Sequence, residues 1–212
     1  MVGLLFDMDG VLVHSMPLHT LAWERYLKNL GIRVDDLEQR MHGKRNSELV
    51  ADLIGANLDE DVVFAHGAEK ERVFREMMLA AGIEKYRVPG VTGFLERHKQ
   101  LPMAVGSNAE PANIDYVLDH FGLRPYFRVT VNGQQVDRPK PFPDIYLKAA
   151  DLLGLEPNQC IVFEDSPTGV AAGLAAGMRV VGVETTPTHF QGVALSIKDF
   201  TDPALEAWLA RQ

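Results

Sequence analysis

Val2-Gly3-Leu4-Leu5-Phe6-Asp7-Met8-Asp9-Gly10-Val11-Leu12-Val13 lies at the start of the chain. An apolar run ending in Asp and Gly reads as a buried strand, about residues 3 to 7, reaching its C-terminal edge. Such edges of open α/β sheets are where ligands bind. Residues i and i+2 of a strand share a face. With a turn imminent at Gly10, the Asp7 and Asp9 carboxylates can converge on one point. Two anions that close repel unless a cation joins them or one takes a proton. The pair therefore suggests a divalent metal, an acid/base pair, or both, although a lone Asp at a strand end also serves as a turn former or helix cap.

Working outward, residues 14 to 86 show helical spacing and no strand pattern. Pro17 suits a first turn, Leu18, Leu21, Ala22 and Leu30 recur at helical spacing, and Gly31 suits a stop. Ser47 can cap a short helix ending at Gly55, and an amphipathic segment runs from about Asp59 to Ala81, interrupted by Gly67. Beyond Gly90, strands over 103–106, 128–131, 160–163 and 179–183 alternate with helices, which implies a parallel sheet of βαβ units. Five strands are expected in an α/β core of residues 1–13 and 87–212, with residues 14–86 as an inserted helical domain.

The 212 residues are 46% hydrophobic, 24% charged and 8% aromatic, an ordinary globular composition with room for a sizeable core. A net charge of -8 opposes nucleic acid and anionic membranes, whose recognition needs clustered Lys and Arg. Cys160 is the single cysteine, so an internal disulfide is impossible; it opens an apolar run and reads as a small buried hydrophobe. No apolar stretch approaches the roughly 20 residues of a membrane span, and no signal-length segment is present. A soluble cytoplasmic monomer is the resulting expectation, and the acidic charge does not exclude a small phosphorylated substrate held at a local site.

Three further polar segments fall at predicted strand ends or on loops of that edge. Ser107 and Asn108 follow the strand over 103–106 and offer a hydroxyl and backbone N–H groups to phosphate oxygens, or alternatively a cap for the helix at Pro111. Pro139 and Pro141 stiffen the backbone around Lys140, which suits a cation used for charge neutralisation. Glu164 and Asp165 form a second acidic pair at a second strand end, and burying such charge without a partner is costly. A hard cation with oxygen ligands resolves it, and Mg2+ fits that preference.

As a set these segments make the chain resemble the haloacid dehalogenase (HAD) superfamily, in the subfamily similar to β-phosphoglucomutase and small sugar phosphatases. The resemblance covers essentially the whole chain and implies a Rossmann-like parallel core with an inserted all-helical cap. It implies that Asp7 is the nucleophile, forming an aspartyl-phosphate, and Asp9 the general acid/base. Ser107 and Asn108 then bind phosphate, and Lys140 steadies Asp7 and the transferring phosphoryl. Mg2+ is held by Asp7, Asp165, the Asp9 backbone carbonyl and Glu164, the last as ligand or ligand orienter. The implied activity is Mg2+-dependent hydrolysis of small phosphorylated metabolites, sugar phosphates above all, with a phosphosugar mutase and a non-catalytic phosphometabolite binder as alternatives.

Caps of this subfamily close over the site and read the leaving group. Met41-His42-Gly43-Lys44-Arg45-Asn46 resembles their specificity loop, with Gly43, Lys44 and Arg45 as substrate readers or as a solvated basic loop. His19 and Trp23 match positions that β-phosphoglucomutase also fills with His and Trp, against core packing as the simpler role for Trp23. Lys70 aligns with a mutase lysine but reads more simply as a helix-surface residue. Two departures stand out: His14 replaces an acidic residue common in relatives, and the 41–48 loop is a residue shorter than in the mutase.

Overall fold

The structure, a computed structural model, describes residues 1–41, 44–185 and 189–212, and these form two compact units. One comprises Met1–His14 and Tyr86–Gln212, the other Ser15–Lys85.

The first unit is built on strands β1 (Gly3–Phe6), β2 (Met103–Ser107), β3 (Val129–Asn132), β4 (Cys160–Glu164), β5 (Arg179–Val183) and β6 (Leu195–Ile197). They pair in the order β3-β2-β1-β4-β5-β6, every neighbour parallel. Helices α5 (Val91–Arg97), α6 (Pro111–His120), α7 (Asp144–Leu153), α8 (Pro167–Ala175) and α9 (Pro203–Leu209) belong to the same unit. Parallel strands bury both faces, so β1, β2 and β4 are covered along their whole length and apolar except for Ser107 and Glu164 at their C-terminal ends. Leu5, Ala104 and Val162 pack with Ile145, Tyr146 and Ala149 of α7 and with Val170 and Ala172 of α8. Phe6 points the other way, stacked on Phe163 at 4.7 Å, with Phe94 of α5 and Phe200 beside it. Strand order reverses on either side of β1, and this is the switch point where open α/β sheets bind ligands. Asp7 follows β1 directly, and Glu164 and Asp165 lie at the end of the adjacent β4.

The expectation of five strands is corrected to six. β6 has only Leu195, Ser196 and Ile197 at the sheet edge, too short for a periodic signal. The short helices α5 and α9 also carried no separate signal.

The second unit contains α1 (Met16–Asn29), α2 (Leu37–Met41), α3 (Asn46–Leu53) and α4 (Glu60–Ala81). Trp23, Tyr26 and Leu27 of α1 meet Leu37 and Met41 of α2 and Leu49, Val50 and Leu53 of α3 in one core. Gly67 does not interrupt α4, which runs unbroken to Ala81 and stops at Gly82 with φ 83°. The α3 helix begins one residue before Ser47, with the Glu48 carboxylate accepting from the Arg45 N–H at 2.8 Å. Among the described residues no helix is long and apolar enough to cross a membrane.

Candidate active site

At the end of β1 the chain turns tightly. Leu12 N–H donates to the Met8 carbonyl at 2.9 Å, and Gly10 N–H to the Val13 carbonyl at 2.7 Å. Gly10 has φ 82°, and a Cβ there would sit 1.8 Å from an oxygen of Asp165. The turn therefore needs glycine twice over, for its left-handed backbone and for the space that the Asp165 carboxylate fills. Thr185 Oγ1, just beyond β5, donates to the Gly10 carbonyl at 2.7 Å and pins the turn.

Lys140 Nζ lies at the centre of the site. It donates to Asp7 Oδ1 and to Glu164 Oε1, each at 2.6 Å. Asp7, Lys140, Glu164 and Asp165 are all buried. Glu164, fully enclosed, is compensated by five donors. Lys140 Nζ and Tyr146 OH, the latter at 2.6 Å, serve Oε1. The N–H groups of Asp165 and Ser166 and the Ser166 hydroxyl serve Oε2 at 3.1–3.3 Å. A buried carboxylate stays charged without prohibitive cost only when satisfied in this way. Gly169 makes room for it, since a Cβ at that position would lie 1.8 Å from Glu164 Oε1. Ser166 caps α8, accepting from Gly169 N–H at 3.1 Å while its hydroxyl also reaches Glu164.

Ser107, at the end of β2, is buried, and its Oγ accepts from the Ala109 N–H at 3.0 Å. The Asn108 side chain is engaged with the Lys140 backbone, its Oδ1 accepting from the Lys140 N–H at 3.2 Å and its Nδ2 donating to the Lys140 carbonyl at 3.5 Å. Asn108 thus fixes the loop that carries the lysine, a link across 32 residues of sequence that spacing does not reveal.

The electrostatics are unbalanced toward negative charge. Burial raises the Asp7 carboxyl from its ordinary 3.8 to about 7, with Glu164 and Asp9 adding to the rise and Lys140 opposing it. Burial, then Glu164, Asp7 and Asp9, push Asp165 well above the carboxylate range. Burial works against the Lys140 ammonium, but Asp7 and Glu164 outweigh it and hold it charged. Oxygens of Asp7, Glu164 and Asp165 lie within 4.8 Å of one another. Three carboxylates around one ammonium leave an anionic surplus of hard oxygen donors, and a divalent cation such as Mg2+ fits that donor set. The Asp9 carboxylate is not among these three.

In the helical unit, His19 and Trp23 come together with residues the sequence did not select. The expectation that Lys70 sits on the helix surface is corrected: its side chain is 2% exposed. Its Nζ lies 2.8 Å from His19 Nδ1 and from Glu71 Oε1, and 5.5 Å from the Trp23 ring centroid. Asn46 Nδ2 donates to Glu71 Oε1 at 2.7 Å, and the His19 ring stacks on Phe74 at 3.8 Å. Burial would raise the Glu71 carboxyl, but Lys70 and His19 overcome it and bring it to about 2. Trp23 Nε1 is buried and meets no acceptor among the described residues. Lys44 and Arg45 stand apart from this group. Lys44 pairs with Asp52 at 2.9 Å, and Arg45 with Glu48 at 3.5 Å, on the exposed surface. Gly43, the other expected reader, lies outside the described residues. The signal for Lys70 was its helical phase: it stands three residues from buried Gly67 and four from buried Phe74, on the apolar stripe of α4.

The fold agrees with what the chain is similar to. It is 36% identical over 185 residues to fructose-1-phosphate phosphatase YqaB of Escherichia coli (strain K12), covering 85% of this chain and 95% of that protein. It is 28% identical over 212 residues to β-phosphoglucomutase of Bacillus subtilis (strain 168), covering 97% and 93%. A HAD hydrolase of family IA, variant 3, from Entamoeba histolytica HM-1:IMSS superposes over 100% of both chains with TM-score 0.87 at 25% identity. The haloacid dehalogenase-like hydrolase family model matches residues 1–177, and the chain belongs to that family.

Proposed function

We propose that the protein is a Mg2+-dependent phosphatase of small phosphorylated sugars, working through a phosphorylated Asp7. The observation that carries this reading is the Lys140 ammonium held 2.6 Å from both Asp7 and Glu164, with Asp165 alongside, at the switch point of the sheet. A carboxylate is a weak nucleophile toward a phosphate dianion, so positive charge must offset their repulsion. Asp7, Asp165 and the Asp9 backbone carbonyl, with Glu164 beside them, would hold Mg2+, which would supply Lewis-acid charge neutralisation to the transferring phosphoryl group.

The chain's own residues do the rest. An Asp7 oxygen attacks phosphorus as the bond to the sugar oxygen breaks, and Asp9 delivers a proton to that leaving oxygen. Asp9 then takes a proton from water, which attacks phosphorus and releases Asp7 and inorganic phosphate. Lys140 and Ser107 hold the phosphoryl oxygens during both transfers. In the helical unit, read as the cap, His19, Trp23 and Lys70 recognise the sugar. Lys70 beside a buried indole N–H with no acceptor among the described residues offers donors to hydroxyl or phosphate oxygens.

Removing the metal tests the site. Below pH 5 Asp7 and Asp165 retain protons that a cation must displace, whereas by pH 8 Asp7 has lost its own. The rise in Tm on adding Mg2+ is therefore expected to be larger at pH 8 than at pH 5, by differential scanning fluorimetry against a chelated sample. An equal shift at both pH values removes the carboxylate cage from the account.

The mutase differs in that a sugar hydroxyl, not water, takes the phosphoryl group. Phosphate release and isomerisation are to be measured on a panel of phosphorylated sugars with Mg2+, with and without a hexose bisphosphate. Net phosphate release is expected. Strong activation of isomerisation with little release rejects the phosphatase in favour of the mutase, and no turnover of any phosphoester leaves a binder.

A further inference from the structure

Among the described residues, Tyr146 is the one buried aromatic that touches both charged partners at the centre of the site. Its hydroxyl donates to Glu164 Oε1 at 2.6 Å, the same oxygen that accepts from Lys140. The Lys140 Nζ also lies 4.8 Å from the centroid of the Tyr146 ring, within cation–π range. The ring cannot move away. It rests against β2 at Gly106, where even a Cβ would come within 3.1 Å of it, and Ile145 and Ala149 of the same helix are buried around it. Burial, with Glu164 and Asp7 nearby, raises the phenol well above its ordinary value, so it stays a donor.

We infer that Tyr146 is a positioning residue for the phosphoryl-transfer site, setting where the Lys140 ammonium rests between Glu164 and Asp7. The inference rests on the phosphatase reading for its kinetic consequence but not for its structural one. Glu164 Oε2 is already saturated by three donors, so Oε1 carries what accepting capacity remains. A second donor at Oε1 weakens its hold on the ammonium, and the ring face below closes the alternative direction. The lysine is left shared evenly, 2.6 Å from each carboxylate. Without the phenol hydroxyl, Oε1 has a single donor, and the ammonium swings toward it and away from Asp7. Glu164 acts on the reaction through that same lysine.

Tyr146→Phe deletes one oxygen and keeps the ring volume and its face toward Lys140. We expect kcat to fall about 10-fold with KM within about twofold, because misplacing a transition-state contact by a fraction of an ångström reads out in kcat. Tyr146→Leu, which loses the ring as well, is expected to fall further. Tyr146→His, which restores a donor without the phenol geometry, is expected not to recover kcat. A crystal structure of Tyr146→Phe is expected to show Nζ beyond hydrogen-bond distance of Asp7 Oδ1, about 3.5 Å or more. Wild-type kcat in Tyr146→Phe, or an unmoved Nζ, overturns the inference, whatever happens to Tm. If the wild-type protein turns over no phosphoester, the phosphatase reading fails, and the crystal structure alone decides the role of Tyr146.

Discussion

Asp7→Asn is expected to lower turnover of phosphorylated sugars by about 10^4-fold or more, the scale of losing a covalent nucleophile. At 1.36 kcal/mol per tenfold, that is about 5 kcal/mol of transition-state stabilisation. The amide keeps the size of the side chain, so the loss is one of chemistry rather than packing. A second consequence follows from linkage. The Asp7 carboxyl has its folded-state pKa raised to about 7 from an ordinary 3.8. The folded state therefore holds a proton that the unfolded chain releases between those values, and its stability declines as pH rises across that window. An amide has no such proton. Measured without divalent cation, the Tm of the wild type is expected to fall relative to that of Asp7→Asn as pH goes from 5 to 8. Parallel profiles would show that Asp7 does not sit in the buried, anionic surroundings described.

Lys140→Met carries the next largest effect. The substitution keeps an unbranched stem and removes the ammonium, leaving Asp7, Glu164 and Asp165 buried without it. Breaking a buried charge pair by deleting one partner costs about 3–5 kcal/mol. For a chain of this length each kcal/mol lowers Tm by about 2–4 °C, so a fall of roughly 6–20 °C is expected. Turnover is expected to drop about 10^3-fold, the scale of removing a preorganised group that stabilises transition-state charge. Mg2+ is expected to recover part of the lost Tm by supplying positive charge to the cage, while turnover stays low. Recovery of both would mean that Lys140 serves only to neutralise charge. Thermal unfolding and steady-state phosphate release, each with and without Mg2+, separate the two outcomes.

The core motifs were legible because chemistry and fold coincide at one sheet edge. Strand-length apolar runs end in Asp7, Ser107 and Glu164, and parallel pairing brings those ends together whatever lies between them in sequence. What stayed hidden was carried by residues whose type has an ordinary structural use. Tyr146 reads as one more core position of an amphipathic helix, and only its hydroxyl, 18 residues from Glu164, sets it apart. Asn108 reads as a loop amide beside Ser107, whereas both ends of its side chain grip the Lys140 backbone. The charge of Lys70 favours solvent, whereas its helical phase places it on the buried stripe beside Phe74. The strand Leu195–Ile197 escaped because an edge strand of three residues shows no period. The charges of Lys44 and Arg45 are answered on the surface by Asp52 and Glu48, pairings that spacing alone does not reveal.

Transient esterification of Asp7 to phosphate is read out by quenching the protein in acid during turnover of a phosphorylated sugar with Mg2+, reducing acyl phosphates with borohydride, and mapping the product by peptide mass spectrometry. Conversion of residue 7 alone to homoserine is expected, with no conversion in Asp7→Asn. Steady release of phosphate with no reduced residue, or with the modification at Asp9 or Asp165, contradicts it.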